Sequence, residues 1–200
     1  MKTPLALTFL ISAGFLARGD IIPYPNAGTI APTVPLFAAQ TGDVDAYFYG
    51  FSAADTDAIQ MCDVTLGTCT AFALTNQTTT VGSMEDFGLV NAGDVLVFNL
   101  ENITTGTLLS SDPTVSADGI NHAYITPYTA TGSTAIPTIP AGTFVGMEDL
   151  SLSQGSDLDY NDDQFVISNL SMNQVPEPSS AILCLGLLAL LPIARRKFGL

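Results

Sequence analysis

The sequence predicts an all-β protein, an antiparallel β-sandwich of jelly-roll type, lying between two apolar terminal segments. Short runs rich in branched and aromatic residues alternate with clusters of Gly, Pro, Asn and Asp, which is the pattern of strands joined by turns. Between the two ends there is no sustained 3.6-residue apolar repeat with helix formers. Long uncharged apolar stretches next to basic residues occur only at the two ends. We therefore expect one β domain over residues 20–172.

The strand signals run along this whole body. Residues 44–51 are rich in aromatic side chains, and residues 94–100 alternate two sets of apolar and polar positions, as strands do. The other predicted strands are 58–64, 70–74, 122–128, 143–152 and 164–170. Three segments lack strand signals. Residues 21–35 are predicted to be an extended lead-in or edge segment, residues 131–140 a loop across one end of the sandwich, and residues 169–175 a polar tether.

Residues 1–19 are predicted to be a signal peptide that signal peptidase removes. Lys2 supplies a positive charge, and residues 5–16 form an uncharged, largely apolar run. Ala17 and Gly19 are the small residues of a cleavage site, which makes Asp20 the expected first residue of the mature protein. An uncleaved signal anchor is the alternative, but the run is shorter than the roughly 20 residues that a spanning helix needs.

A second apolar stretch lies in residues 175–200. Pro176, Glu177 and Pro178 precede it, and a transmembrane helix is predicted over 179–194. Three basic residues follow, namely Arg195, Arg196 and Lys197. Basic clusters stay on the cytoplasmic side of a membrane, so the body is expected outside. A plain tail anchor is the alternative.

This order of Pro-Glu-Pro, short apolar helix and basic cluster resembles the PEP-CTERM sorting signal of Gram-negative bacteria. In that family the signal is recognised by exosortase, a membrane transpeptidase-like cysteine enzyme, and its carriers are linked to exopolysaccharide and biofilm formation. The resemblance implies exosortase as an export partner, an inner-membrane intermediate, and a final location at the cell surface or in the extracellular matrix.

The charged residues are divided sharply along the chain. All five Lys and Arg residues lie in the two terminal segments, whereas all nineteen Asp and Glu residues lie within residues 20–177. Nucleic acid is excluded as a partner of the body, because binding it depends on basic side chains that neutralise phosphates. Any carboxylates that are buried or clustered must find backbone N–H groups, protons or bound cations instead.

Two cysteines of the body are predicted to form a disulfide. Cys62 and Cys69 flank a glycine turn between strand-like segments, and an even pair in an exported chain favours a bridge. Two free thiols are the alternative. The third cysteine, Cys184, lies in the C-terminal apolar stretch.

The densest group of carboxylates is in residues 146–165. Two acidic residues lie near the middle of the predicted strand 143–152, and after a turn Asp157, Asp159 and Asn161 follow at period two. In an extended chain this spacing puts their side chains on one side. Oxygen ligands without a basic neighbour suit Ca²⁺, which takes six to eight oxygens. The predicted Ca²⁺ ligands are Glu148, Asp149, Asp157, Asp159, Asn161, Asp162 and Asp163.

The spacing is like the first half of an EF-hand loop, but it departs from the second half. Asp162 stands where that loop needs glycine, and Ser168 stands where it needs glutamate. A solvated turn is the alternative. The smaller acidic pairs at Asp43 and Asp45, Asp55 and Asp57, and Glu85 and Asp86 are interpreted as turn caps on a wet surface.

A second resemblance rests on the same segment. The stretch from Gly146 to Asp149 reads G-x-E-D, and the stretch from Asp157 to Asp162 reads D-x-D-Y-N-D. This order is similar to the bacterial DUF4114 domain of extracellular and PEP-CTERM proteins, over residues 143–170. The resemblance implies an acidic motif for which both cation binding and catalysis have been considered. The Asp163 and Gln164 that follow are a small departure from it.

The sequence favours a protein that is not an enzyme. His122 is the only histidine, which excludes a His-rich zinc site. Glu148 with Asp159 or Asp162 could act as the acid and base of a glycosidase, but the chain has no Trp to stack on a sugar. We expect a structural or adhesive role in exopolysaccharide or biofilm. A Ca²⁺-dependent carbohydrate-binding module, or less favourably a glycoside hydrolase, is the alternative.

Overall fold

A computed structural model of the chain describes residues 22–131 and 135–173, and the structural statements that follow refer to these residues. The predicted signal peptide (1–19) and the predicted sorting signal with its transmembrane helix (175–200) lie outside them. Within the described ranges, no helix has the length and apolar character needed to cross a membrane.

The described residues form strands and a single short 3₁₀ helix, Leu152–Gln154. The all-β prediction is confirmed for them, and every strand pair is antiparallel. In chain order the strands are β1 Leu36–Ala38, β2 Gly42–Phe51, β3 Asp57–Asp63, β4 Thr68–Cys69, β5 Met84–Val90, β6 Val95–Asn102, β7 Thr107–Ser110, β8 Ala123–Tyr128, β9 Gly142–Met147, β10 Asp163–Ile167 and β11 Leu170–Ser171.

The strands belong to two sheets. Sheet one has six strands in the order β11-β1-β6-β3-β4, with β7 paired to β6. Sheet two has five strands in the order β5-β2-β10-β9-β8. The chain crosses from one sheet to the other several times, so residues that are distant in sequence meet where the two sheets face each other.

The main core is formed by side chains of both sheets, which is consistent with the predicted sandwich. Along β2 the residues alternate between buried and partly exposed positions, because successive side chains of a strand point to opposite faces. Ile59 and Phe98 of sheet one belong to the same buried cluster as Phe48 and Phe165 of sheet two.

The outer face of sheet two is also covered. Phe144 and Val166 lie on this face and pack with Ile22 and Ile139, which come from the segment before β1 and from the loop before β9. The segment predicted as a lead-in (21–35) forms no strand over 22–35. It contributes instead to a second apolar layer that reaches the acidic segment.

Several predicted boundaries are wrong, for physical reasons that the structure makes clear. The predicted strand 70–74 is replaced by β4, and only Ala73 keeps an isolated bridge, to Ile59. The predicted strand 143–152 ends at Met147 because its partner β10 begins opposite that residue. The predicted tether 169–175 contains β11, which pairs with β1. Three strands had no recognised signal: β1, β5 and β7.

The predicted disulfide is present. Cys62 and Cys69 are directly opposite each other where β3 pairs with β4, and their sulfur atoms are bonded at 2.04 Å. The bridge closes a small loop at the edge of sheet one.

Candidate metal centre

The acidic segment begins where β9 ends. Met147 is the last residue of β9 and pairs with Asp163, the first residue of β10. Glu148 and Asp149 therefore lie in the connecting loop and not in the middle of a strand, which corrects the prediction. The two ends of this loop are tied together, because the backbone N–H of Asp149 donates to Oδ2 of Asp162 at 3.1 Å.

Glu148 organises the loop around its own carboxylate. Its side chain is 0% exposed. The backbone N–H groups of Leu158 (3.1 Å) and Tyr160 and the Ser156 hydroxyl all donate to it. Hydrogen bonds to a charged acceptor each contribute about 1.5–3 kcal/mol. They hold the loop against the strain of its backbone.

That strain is at Leu158 and Tyr160, which both have left-handed backbone angles, with φ of 54° and 58°. This conformation costs a residue other than glycine roughly 1–2 kcal/mol. The segment is therefore not the extended chain that the sequence predicts. Its side chains nevertheless alternate: Leu158 and Tyr160 are buried, whereas Asp157 is exposed and Asp159 and Asn161 are partly exposed.

Gly146 and Tyr160 fix the loop over sheet two. A Cβ atom at position 146 would collide with the carbonyl oxygen of Tyr160, so only glycine lets the loop lie this close to β9. The Tyr160 side chain is 0% exposed, and its hydroxyl accepts a hydrogen bond from the N–H of Ala31 at 2.7 Å. The glycine, the glutamate and the tyrosine of the motif thus build the loop that carries the aspartates.

Three carboxylates form what we call the loop cluster: Glu148, Asp157 and Asp159. One oxygen from each lies within 4.8 Å of the others, a spacing that one cation can bridge. Asp159 also accepts hydrogen bonds from the N–H and side-chain amide of Asn161, at 3.1 and 2.5 Å. Asn161 therefore holds the Asp159 carboxylate in its position within the loop cluster.

The remaining predicted ligands belong to a different group, the inner cluster: Asp57, Asp149, Asp162 and Asp163. Asp57 is the first residue of β3 in sheet one, and Asp163 is the first residue of β10 in sheet two. Both are 0% exposed, and Asp149 is 5% exposed. The structure thus separates the seven predicted ligands into two places and adds Asp57, which was interpreted as a surface turn cap.

Two buried asparagines line the inner cluster. The side-chain amide of Asn76 donates to Oδ2 of Asp57 at 2.8 Å and to Oδ2 of Asp163 at 3.4 Å. The amide of Asn102 donates to Oδ2 of Asp55 and to the carbonyl of Asp149, both at 2.9 Å. No local sequence pattern marks either asparagine as part of a site, because each reaches the cluster only through the way that the loops fold back.

Burial perturbs the acidity of the inner cluster. It raises the pKa of Asp149 to about 6 and that of Asp162 to about 7, and the charges of neighbouring carboxylates add to the effect. The pKa of Asp163 is raised furthest, by burial and then by the charge of Asp57, with which it also shares a hydrogen bond. Without a cation, Asp163 therefore keeps its proton at neutral pH and shares it with Asp57.

A scan against protein-family models gave no match, and neither did searches of curated proteins and of solved structures. The resemblances to the PEP-CTERM signal and to the DUF4114 domain stay predictions from sequence motifs.

Proposed function

We propose that this chain is an exported, exosortase-processed protein of the cell surface or extracellular matrix, with a structural or adhesive role in exopolysaccharide or biofilm. Its body is a β-sandwich of jelly-roll type that Ca²⁺ stabilises. Export passes through an inner-membrane intermediate held by the C-terminal helix. The support for this address is the order of motifs in the two terminal segments.

One observation carries the calcium part of the proposal: acidic side chains are gathered and buried in a body that has no lysine or arginine. Glu148 is wholly buried, and an oxygen of Asp157 and of Asp159 lies beside it. Removing carboxylates from water without countercharge is unfavourable. The groups here offer only oxygen ligands, which suit Ca²⁺.

Within the loop cluster, Glu148 supplies the fixed ligand because its carboxylate is held by the backbone of the loop. Asp157 and Asp159 supply the ligands that face solvent. A bound Ca²⁺ would offset two of the three negative charges and hold the left-handed loop in place. Because Asp157 is exposed, the same ion remains open to an acidic polysaccharide on its outer side.

The geometry argues against the glycosidase alternative. A catalytic acid must reach the glycosidic oxygen of its substrate, whereas Glu148 is 0% exposed and its oxygens accept hydrogen bonds from the loop. The variant Glu148→Gln in a polysaccharide-turnover assay tests this: turnover by the native protein that the variant loses would establish the hydrolase.

The carbohydrate-binding alternative is favoured by tyrosines near the loop cluster. Tyr24 and Tyr124 are partly buried on sheet two, with ring centroids 6.0 Å apart. Asp159 lies close enough to Tyr24 that its charge adds to burial in raising the pKa of that tyrosine. Flat rings beside a cation-binding loop are the usual parts of a Ca²⁺-dependent sugar site. Ca²⁺-dependent binding on a glycan array would support this reading.

The calcium proposal is tested by melting the full-length chain, purified in a mild detergent, first in EDTA and then with millimolar Ca²⁺. We expect Ca²⁺ to raise the melting midpoint, and we expect Asp159→Asn to reduce that rise. Asp43→Asn is the matched control, because Asp43 is an exposed aspartate of β2 outside both clusters. An identical midpoint with and without Ca²⁺ would reject the proposal.

The proposed location of the protein is tested separately in cells. We expect the body in the extracellular or surface fraction, and we expect replacement of Pro176, Glu177 and Pro178 by alanines to leave it in the inner-membrane fraction. A native protein recovered from the cytoplasm would contradict the proposal.

A further inference from the structure

Two carboxylate oxygens of the inner cluster are buried without any hydrogen-bond partner. They are Oδ1 of Asp57 and Oδ1 of Asp163, on two side chains that are each 0% exposed. A buried polar group without a partner costs about 1–3 kcal/mol, and a charged one costs more. Because these two carboxylates share one hydrogen bond with each other, their Oδ1 atoms are buried acceptor sites that no protein donor fills.

The protein groups around the cluster cannot supply what these oxygens lack. The amide of Asn76 has two hydrogens but lies within bonding distance of Asp57, Asp163 and the carbonyl of Asp55. No lysine or arginine is present between residues 20 and 194. The only histidine, His122, is engaged with Asp118 at 3.0 Å. Within the described residues no base is left to pair with these oxygens, so protons or a cation supply the countercharge.

We propose that Asp57, Asp149, Asp162 and Asp163 hold a second Ca²⁺ ion, buried between the two sheets and separate from the ion of the loop cluster. This inference depends on the proposed function in one respect: Ca²⁺ must be present in the compartment where the protein folds. The cluster offers four carboxylates, with neither imidazole nor thiolate, and the amides of Asn76 and Asn102 face it through their N–H donors. Such a set of hard oxygen donors selects Ca²⁺ over zinc or copper.

Among the described residues, only the loop cluster has three carboxylate oxygens within 4.8 Å of one another, so an ion at the inner cluster would require its carboxylates to move closer together. Asp149 and Asp162 lie at the two ends of the same loop and already share a hydrogen bond. Asp57 and Asp163 are bridged by Asn76. An ion between these pairs replaces the shared proton and pairs the two free Oδ1 atoms.

The position of the site gives the ion a mechanical role. Asp57 begins β3 of sheet one, and Asp163 begins β10 of sheet two. The strand pairings stay within each sheet, whereas one ion bound by both aspartates would connect the two sheets at this end. The ion of the inner cluster would therefore stabilise the packing of the two sheets at one end of the sandwich. The ion of the loop cluster would order only the surface loop.

The test is a calcium titration of the full-length chain in mild detergent, after EDTA and dialysis, by isothermal titration calorimetry. We expect two Ca²⁺ equivalents for the native chain. Asp57→Asn removes one inner charge and should lose one equivalent or bind it at least tenfold more weakly. Asp159→Asn should keep the inner equivalent, and the control Asp43→Asn should keep both.

Melting provides a second readout that an ordinary structural role would not produce. In EDTA at pH 8, Asp57→Asn should melt above the native chain, because it removes an unpaired buried charge. In Ca²⁺ the order should reverse. If Asp57→Asn does not fold by near-ultraviolet circular dichroism, Asp162→Asn replaces it, because Asp162 is partly exposed whereas Asp57 is fully buried.

The outcomes separate this inference from the proposed function. If Asp57→Asn and Asp162→Asn both still bind two Ca²⁺ equivalents with unchanged affinity, the inner site is refuted. One native equivalent that Asp159→Asn abolishes also overturns it, but leaves the calcium part of the proposed function intact. No binding by the native chain rejects both.

Discussion

Raising the pH of the calcium-free protein should destabilise it, and Asp149 allows the size of this effect to be worked out. Burial raises the pKa of this side chain to about 6 in the folded protein, from 3.8. Between these two values the folded state binds more protons than the unfolded state. Stability is therefore lost as the pH rises through this window.

The magnitude follows from the shift. Each pKa unit corresponds to about 1.36 kcal/mol, so Asp149 alone removes at most about 3 kcal/mol by neutral pH, and solvent screening reduces this value. For a domain of this size, 1 kcal/mol shifts the melting midpoint by about 2–4 °C. The upper limit of the fall from this one group is then about 6–12 °C, and a fall of several degrees is expected. Asp162, whose pKa is raised to about 7, continues the fall to higher pH.

The assay is differential scanning fluorimetry of the full-length chain in EDTA between pH 4.5 and 8, repeated with millimolar Ca²⁺. The carboxylates facing Asp149 are Asp55, Asp57, Asp162 and Glu148, and none is paired with a base. Calcium should restore most of the loss at pH 8 and little at pH 4.5, because protons and Ca²⁺ compete for the same oxygens.

Asp149→Asn should flatten the pH dependence in EDTA, whereas the exposed control Asp43→Asn should leave its slope unchanged. A midpoint in EDTA that stays level or rises between pH 4.5 and 7.5 would refute the reasoning. It would mean that the inner carboxylates ionise freely in the folded protein.

Three further perturbations follow from the structure. Gly146→Ala should push the loop off sheet two and lower the melting midpoint by several degrees. Gly50→Ala is the control, since a Cβ atom at position 50 meets nothing within 4 Å. Equal midpoints for the two variants would contradict the close approach of the loop to Gly146. Glu148→Gln should cost about 2 kcal/mol in urea unfolding, because its amide group faces backbone N–H donors; a neutral effect would show that the loop does not depend on the carboxylate. Replacing Cys62 and Cys69 by alanine should also cost about 2 kcal/mol, in the same assay, and an unchanged midpoint would show that the small loop is already ordered without the bridge.

The sequence predicted the strands that alternate clearly and missed those that do not. β2 and β6 combine aromatic or branched residues with period-two burial, and they were placed within two residues. β5 has the sequence MEDFGLV, with two acids, a glycine and an exposed Leu89, because it lies at the edge of sheet two. Its strand character comes from pairing with β2, which no local pattern reveals.

The candidate site was predicted by composition more than by geometry. The density of aspartates in residues 146–165 pointed to the right segment. It could not show that Leu158 and Tyr160 adopt left-handed angles, nor that Asp57 approaches from the other sheet. That approach depends on the packing of two sheets, a contact between residues distant in the chain. Asn76 was missed for the same reason.

The inner cluster joins parts of the chain that are made at very different times. Asn76 and Asp163 are 87 residues apart in the sequence, and contacts between such distant residues form late and slowly in folding. While the chain is being synthesised, Asp57 and Asn76 emerge long before the aspartates they will face. Until β10 arrives, these early polar residues remain hydrated. The packing of the two sheets and the formation of the inner cluster are thus completed together, once the last strands have emerged.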